Sequence, residues 1–473
     1  MNSVRMEAIP TERQNDFSKG KVSRNILNLA LPMTLAQLIN VLYSVVDRMY
    51  IGHIPEAATL ALTGLGLTFP IISIITAFAN LFGMGGAPLC SIARGKGDDE
   101  RAETIMGNSF FMMVATGLVL TALFLAFKGP LLRLFGASGQ TFPYADGYLT
   151  VYLCGSVFVM VGLGMNSFIN SQGFGKMGMM TVLLGAVTNI LLDPLFIFVL
   201  HMGVQGAALA TVISQFLSAA WVVRFLTSKK AIYRLQKKTM KLDWKLVGEI
   251  VSLGMSSFCF AITNSLVQIV CNINLQQFGG DLYVGIMTVA NSVREVVSMP
   301  MNGLTNGAQP VIGFNYGARE YRRVRSGIRF MSVVCVVYTL AAWLVLMLFP
   351  QPFIHLFSSD PDLVGKGAQA LGVYFFGYFM MAFQMAGQST FVALGRSKQA
   401  VFFSLLRKAI IVVPLTILLP RIGGLGVIGV FLAEPVSNFV GGSACYLTML
   451  ATVWKPLRKA EEAEAVPAGR AGE

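Results

Sequence analysis

The sequence predicts an all-α integral membrane protein: twelve transmembrane helices in two six-helix lobes, related by a pseudo-twofold axis along the membrane normal. Three observations predict it. Hydrophobic residues make up 55% of the chain and charged residues only 12%, about half the charged share of a soluble domain. Such a chain cannot cover a water-facing surface. Apolar runs near the bilayer-crossing length of about 20 residues recur through the sequence. Finally, short motifs return in the second half at an offset near 222 residues.

In the first half the spans fall near 26–50, 60–84, 105–127, 146–171, 178–200 and 204–226. In the second half they fall near 247–275, 282–309, 327–349, 366–393, 399–419 and 425–450. The domains that follow are an N-terminal tail 1–25, a first lobe 26–226, a basic linker 227–246, a second lobe 247–450 and a C-terminal tail 451–473. The first 25 residues are polar and lack the apolar stretch of a signal peptide, so insertion begins with the first span. The terminal "EEAEAVPAGRAGE" reads as disordered.

Loop charge sets the expected orientation, because Lys and Arg favour the cytoplasmic side. The even-numbered gaps carry "RGKGDDER" (94–101), Lys176, "KKAIYRLQKKTMKLDWK" (229–245), "REYRRVR" (319–325) and "RSK" (396–398). The odd-numbered gaps hold only Arg48, Lys128, Arg133, Lys366 and Arg421. Arg294 is read as the one basic residue inside a span. Both termini are therefore expected to be cytoplasmic. The net charge of +13 is spent on topology and on contact with anionic membrane lipid, so no nucleic-acid partner is expected.

"LLRLF" at 131 returns as "FIHLF" at 353, Tyr152 as Tyr374, Gly173 as Gly395 and Lys176 as Lys398. Farther on the offset slips to 220, where Pro194 meets Pro414 and Gly203 and Gly206 meet Gly423 and Gly426. Six spans return the chain to the same side, so the repeats are parallel. Two bundles around a central cavity can open it to alternate sides. A channel more often places its symmetry in an oligomer, so transport by a monomer is the expectation.

Ionisable residues inside spans cost about 2.5–3.5 kcal/mol on insertion scales and usually face the bundle interior. Asp47 lies near the outer end of span 1 in "LYSVVDRMYIG", and Asp193 in span 5 in "NILLDPLFIF". Asn189 and Asp193, at i and i+4, share a helix face, and Pro194 leaves the Ile190 carbonyl without its usual donor. Asp193 is seven residues from the outer end of span 5, or about 10 Å. Thr211, about seven residues into span 6, lies at a matching depth, and Asp47 lies at a similar or smaller one. All three residues can meet in the first lobe. Two carboxylates in a low-dielectric pocket do not both stay charged alone, so one is expected to hold H⁺ or Na⁺. For Asp47 the rival reading is a simple pair with Arg48.

Arg294 and Glu295 in "ANSVREVVSMP" and Glu434 in "FLAEPVSN" form a possible secondary polar site, or a structural ion pair of the second lobe. The 25 Met and 34 Phe suit either an adaptable ligand wall or lipid-facing helices.

Several chemistries are set aside. The six cysteines lie in apolar segments without ligand spacing and read as small core residues. "GFGKMG" (173–178) matches GxGxxG but has no preceding strand, so it reads as a turn. There is no GxxxxGK[ST] and no HExxH, and His53, His201 and His355 fall at loops or span ends. No enzyme activity and no cofactor are expected.

The stretches "LALPMTLAQLINVLYSVVDRMYIG" (29–52), "FGMGGAPLCSIARGKGD" (82–98), "NILLDPLFIF" (189–198), "GVQGAALAT" (203–211) and "GAQPVIGFNYGA" (307–318) carry a family resemblance. Over residues 20–455 the chain resembles the multidrug and toxic compound extrusion (MATE) family, in its DinF-like and MepA-like bacterial branch. The resemblance implies two six-helix lobes in the bacterial plasma (inner) membrane and cation-coupled multidrug efflux. It implies a secondary active antiporter, exporting amphipathic and often cationic small molecules in exchange for H⁺ or Na⁺. It also places the coupling site at Asp47, Asn189, Asp193 and Thr211, with Pro32 as a gating bend in span 1. These four are also the residues that would bind Na⁺, the one metal ion expected. The NorM-like branch carries acidic residues in spans 7 and 10. Here Asn264, Gln268, Asn272 and Asn274 lie in span 7, and Gln384 and Gln388 in span 10, none of them acidic.

Two alternatives remain beside the antiporter. One is a flippase for lipid-linked precursors, which would line its cavity with several basic residues; Arg294 alone counts against it. The other is a membrane-embedded enzyme, which would need a His/Asp/Glu cluster at membrane depth.

Overall fold

The computed structural model describes residues 16–54, 58–355 and 361–465. Among these there is no strand. The first lobe comprises α1 (Val22–Ile51), α2 (Ala58–Gly95), α3 (Asp99–Leu134), a bent α4, α5 (Gly175–Val199) and α6 (Gly203–Thr227). Helix α4 consists of Phe142–Cys154 and Ser156–Ser171, meeting at 57° across Gly155.

Trp244–Gly317 then runs as 74 helical residues, roughly 110 Å at 1.5 Å per residue, several times the hydrocarbon thickness. Gly280 divides it: its φ of 71° and ψ of −169° lie in a region open only to glycine. This gives α7 (244–279) and α8 (281–317), so the described residues hold twelve spans. Helices α9 (Tyr321–Leu348), α10 (Val364–Ala393), α11 (Ser397–Arg421) and α12 (Gly426–Met449) complete the second lobe. The expected twelve-helix, two-lobe membrane fold is thus borne out.

Large apolar side chains on the outside, such as Leu42, Val119, Leu191, Val337 and Leu447, are exposed. In water they would be a liability; in a bilayer they face a solvent as apolar as themselves. One continuous core joins α7–α12. Ile26, Leu29 and Ala30 of α1 belong to it too, so α1 starts against the second lobe and ends, at Ile51, in the core of the first.

The lobes press together at the end that carries the basic loops. There the contacts are made by glycines whose missing side chains let backbones touch. A Cβ on Gly254 (α7) would strike the Leu81 carbonyl of α2, and one on Gly317 (α8) the Ile92 carbonyl. A Cβ on Gly307 (α8) would come within 2.6 Å of the Ala30 nitrogen of α1. Toward the other end the lobes part around two larger cavities, and a smaller one of about 200 Å³, lined by Gln37, Asn80, Asn166 and Gln309, remains between them in the basic-loop half.

Two expectations need correction. The C-terminal segment is not wholly an irregular tail: helix continues from α12 through Leu450–Trp454 into Lys455–Ala465. Its Glu461 pairs with Arg325 of α9 at 2.6 Å, which anchors the segment; residues 466–473 lie outside the described ones. Of the cysteines, Cys90, Cys271, Cys335 and Cys445 are buried and Cys259 is half-buried, but Cys154, at the bend of α4, is exposed.

Candidate functional site

The first polar cluster is built by α1, α5 and α6. Asn189 and Asp193 stand one turn apart on α5 and are both buried, at 1% and 0% exposure. The Asn189 Nδ2 donates to Asp193 Oδ1 at 3.3 Å and to Thr211 Oγ1 of α6 at 3.4 Å. Asp47 approaches from α1, its carboxyl within hydrogen-bonding reach of that of Asp193. Asp47 Oδ1, Asp193 Oδ2 and Asn189 Oδ1 are buried with no donor among the described residues.

Directly after Pro194 the helix widens into a π-turn, Leu195–Val199. A residue without an N–H cannot hold the i−4 register, and the turn absorbs the mismatch. Asp47 and Thr211 line a cavity of about 390 Å³ together with Tyr43, Tyr148 and Tyr152. Asp47 does not pair with Arg48, whose guanidinium lies over the Phe69 ring at 5.2 Å. Pro32 is buried in the lower part of α1, which runs unbroken past it.

The second cluster is built by α8, α11 and α12 around Glu434. Lys408 Nζ donates to Glu434 Oε1 and Oε2 at 2.9 and 3.0 Å. Arg407 Nη1 donates to Oε1 at 3.1 Å and to Asn438 Oδ1 at 2.7 Å. Arg294 Nη1 donates to the same Oε1 at 3.2 Å. Glu295 does not join the cluster; it is exposed and faces the adjoining cavity of about 540 Å³. This cavity is lined by Arg294, Arg407, Glu434 and Tyr374, and by Asn264 and Gln268 of α7. The two cavities meet at Thr76 of α2. Gln384 and Gln388 of α10 instead bind α11, Gln384 at the Phe403 carbonyl and Gln388 at the Ala400 carbonyl and the Ser404 hydroxyl.

The family model MatE matches the chain twice, over residues 32–195 and 257–418. The chain belongs to the MatE family. The two matches start 225 residues apart, close to the offset of the recurring motifs. Among curated relatives of this MatE protein, "Multidrug export protein MepA" of Staphylococcus haemolyticus (strain JCSC1435) is 24% identical over 425 residues, covering 90% of this chain and 93% of the relative. The protein of that name from Staphylococcus aureus (strain MSSA476) is 24% identical over 441 residues, covering 93% and 95%. A solved structure described as the "Outward-facing conformation of a multidrug resistance MATE family transporter of the MOP superfamily" superposes with a TM-score of 0.88 at 22% identity, covering 95% of this chain and 100% of that one. "Crystal structure of MATE in the straight conformation" does so with a TM-score of 0.87 at 22% identity, covering 94% and 99%. These likenesses are of fold.

Arg407 and Lys408 were missed by sequence reasoning, and Arg294 is not the only deep basic residue of this MatE chain. Both lie in α11 at 2% and 1% exposure, inside a π-turn spanning Leu406–Val412. The signal was present: "LLRKAIIVV" (405–413) sets two cations in an apolar run, as "NILLDPLFIF" sets an anion. The test applied to Asp193 selects them equally. Their helix is the repeat partner of α5, with Pro414 standing where Pro194 stands.

Proposed function

We propose that this chain is a secondary active exporter of amphipathic small molecules, coupled to cation entry at Asp47 and Asp193 and working by alternating access. The carrying observation is the pair of facing carboxyls with orphaned oxygens, beside a cavity large enough for a drug-sized molecule. The curated relatives named multidrug export protein support the same reading.

The facing carboxyls support H⁺, while Asp47 Oδ1, Asp193 Oδ2 and Asn189 Oδ1, which accept from no donor among the described residues, are oxygens that would serve Na⁺. A proton shared between two carboxyls needs no further ligands. With both carboxylates charged, the first-lobe cavity attracts a cationic substrate. Neutralising them removes that field, and Pro32, which deprives the Asn28 carbonyl of its donor, gives α1 a place to bend. In the plasma membrane with both termini cytoplasmic, the closed end faces the cytoplasm and the cavities open outward.

The test is uptake of a fluorescent lipophilic cation into proteoliposomes, with a pH gradient and a Na⁺ gradient imposed separately. The pH gradient should drive uptake and Asp193→Asn should abolish the response. A mutant that responds like wild type overturns the assignment, and a response to Na⁺ alone names the other ion. The flippase reading gains from Arg407 and Lys408, which add basic groups to the cavity region. It would be favoured by scrambling of a fluorescent lipid diphosphate in the same vesicles.

A further inference from the structure

We propose that the second-lobe cavity contains an anion-binding subsite, in which Arg294 receives the carboxylate or phosphate group of an amphipathic substrate. The inference rests on reading the central cavity as the substrate path and states what its second-lobe half accepts.

Three cations converge on one buried carboxylate. Lys408 and Arg407 are enclosed, at 1% and 3% side-chain exposure, and their hydrogen bonds go to Glu434 and Asn438. Arg294 differs, with 21% of its side chain exposed to the cavity. Of its five N–H donors, one finds an acceptor among the described residues, and Oε1 is an acceptor already shared with both neighbours. The Tyr374 ring, 5.9 Å from the guanidinium carbon, flanks it and helps to hold its orientation.

Charge decides which ligand fits. Pairing Lys408 with Glu434 leaves two guanidiniums, and Glu295 at the rim offsets at most one. The remainder balances one anionic group. A diphosphate brings more charge than this site can neutralise, and a cation would meet the uncompensated guanidinium. Guanidinium and carboxylate or phosphate form short, paired hydrogen bonds, strengthened where water is excluded. Apolar Met381, Met385, Val412 and Val430 line the same space and would take the ligand's body. The facing carboxyls thus lie in the first lobe and the surplus of guanidinium in the second.

The experiment measures binding of 11-(dansylamino)undecanoic acid and of its methyl ester to the purified full-length protein in detergent, by fluorescence. The acid should bind at least about tenfold more tightly than the ester. Arg294→Gln should bring acid and ester to the same affinity. Glu295→Gln, a change at an exposed residue, should tighten binding of the acid and leave the ester unmoved. Equal affinities in the wild type, or a preference that survives in Arg294→Gln, would overturn the proposal. Size-exclusion profiles verify folding, and an unfolded Arg294→Gln leaves the decision to the acid–ester ratio and to Glu295→Gln. Nanodiscs then separate the sources: displacement by phosphatidylglycerol but not phosphatidylcholine assigns a lipid headgroup. Displacement by neither assigns a soluble amphiphile, and equal displacement by both overturns the subsite. Binding is read without any ion gradient, so failure of ion-coupled export would not imitate failure here.

Discussion

At the scale of single residues, the first-lobe site was legible because its chemistry is local. Asn189 and Asp193 are one turn apart on one helix, and a polar pair on an apolar face needs no tertiary knowledge to be noticed. Asp47 and Thr211 were reachable by depth alone, since Asp47 lies near the outer end of span 1 and Thr211 a short way below the outer start of span 6. Glu434 and Arg294 were noticed, but Arg407 and Lys408 were not, and the cluster itself was not legible because its cations come from two other helices. The buried cluster makes a stability prediction. Glu434→Ala would leave Arg407 and Lys408 enclosed without a counter-charge, at a cost of about 3–5 kcal/mol. Thermal unfolding in detergent should show a large drop in midpoint. Glu295→Gln, exposed and outside the cluster, should shift stability by less than about 0.5 kcal/mol.

At the scale of elements, helix lengths followed from the run of apolar residues, and the breaks followed from proline and glycine. Both α5 and α11 carry a π-turn near the proline the repeats share, but on opposite sides of it: Leu195–Val199 follows Pro194, and Leu406–Val412 precedes Pro414. The turn in α11 holds Arg407 and Lys408 at the bundle interior, and the turn in α5 begins two residues after Asp193, so each backbone irregularity lies at or beside a buried charge. Gly280 has a separate task, since it alone turns a 74-residue helical run into two antiparallel spans. Gly280→Ala should cost about 1–3 kcal/mol through its forbidden dihedrals. The same unfolding assay should register this, whereas Gly248→Ala, where an added Cβ meets nothing, should not lose stability. The terminal helix was misread because Lys, Glu and Ala without an apolar run resemble a solvated tail. Its order comes from α9, through the Arg325–Glu461 pair.

At the scale of the whole molecule, the state is set by which end the lobes close. Glycine contacts between α2 and α7, α2 and α8, and α1 and α8 close the basic-loop end. The Thr76 position, where the cavities meet, lies midway along α2, beyond these contacts. In a variant lacking native cysteines, Thr76→Cys should be labelled by a membrane-impermeant maleimide added outside cells. Ala308→Cys, fully buried at the closed end, should be protected. Adding Gly254→Val should reduce labelling at position 76, because a side chain there strikes the Leu81 carbonyl and the closed end no longer forms. Labelling of both cysteines alike, or no change with Gly254→Val, would contradict a cavity closed by these contacts.

The sequence by itself determined the membrane class, the number and approximate limits of the spans, the parallel repeat and the acidic cluster of the first lobe. Each follows from composition or from spacing along a single helix, which a bilayer enforces residue by residue because no backbone polar group there finds water. Only the tertiary structure decided that α1 begins in the second lobe's core, that the basic-loop end is shut, and that three cations share Glu434. Arg294 and Glu434 are 140 residues apart in sequence. What joins them is the angle and rotation at which α8, α11 and α12 pack, set by many small contacts between helix surfaces rather than by any one segment's pattern.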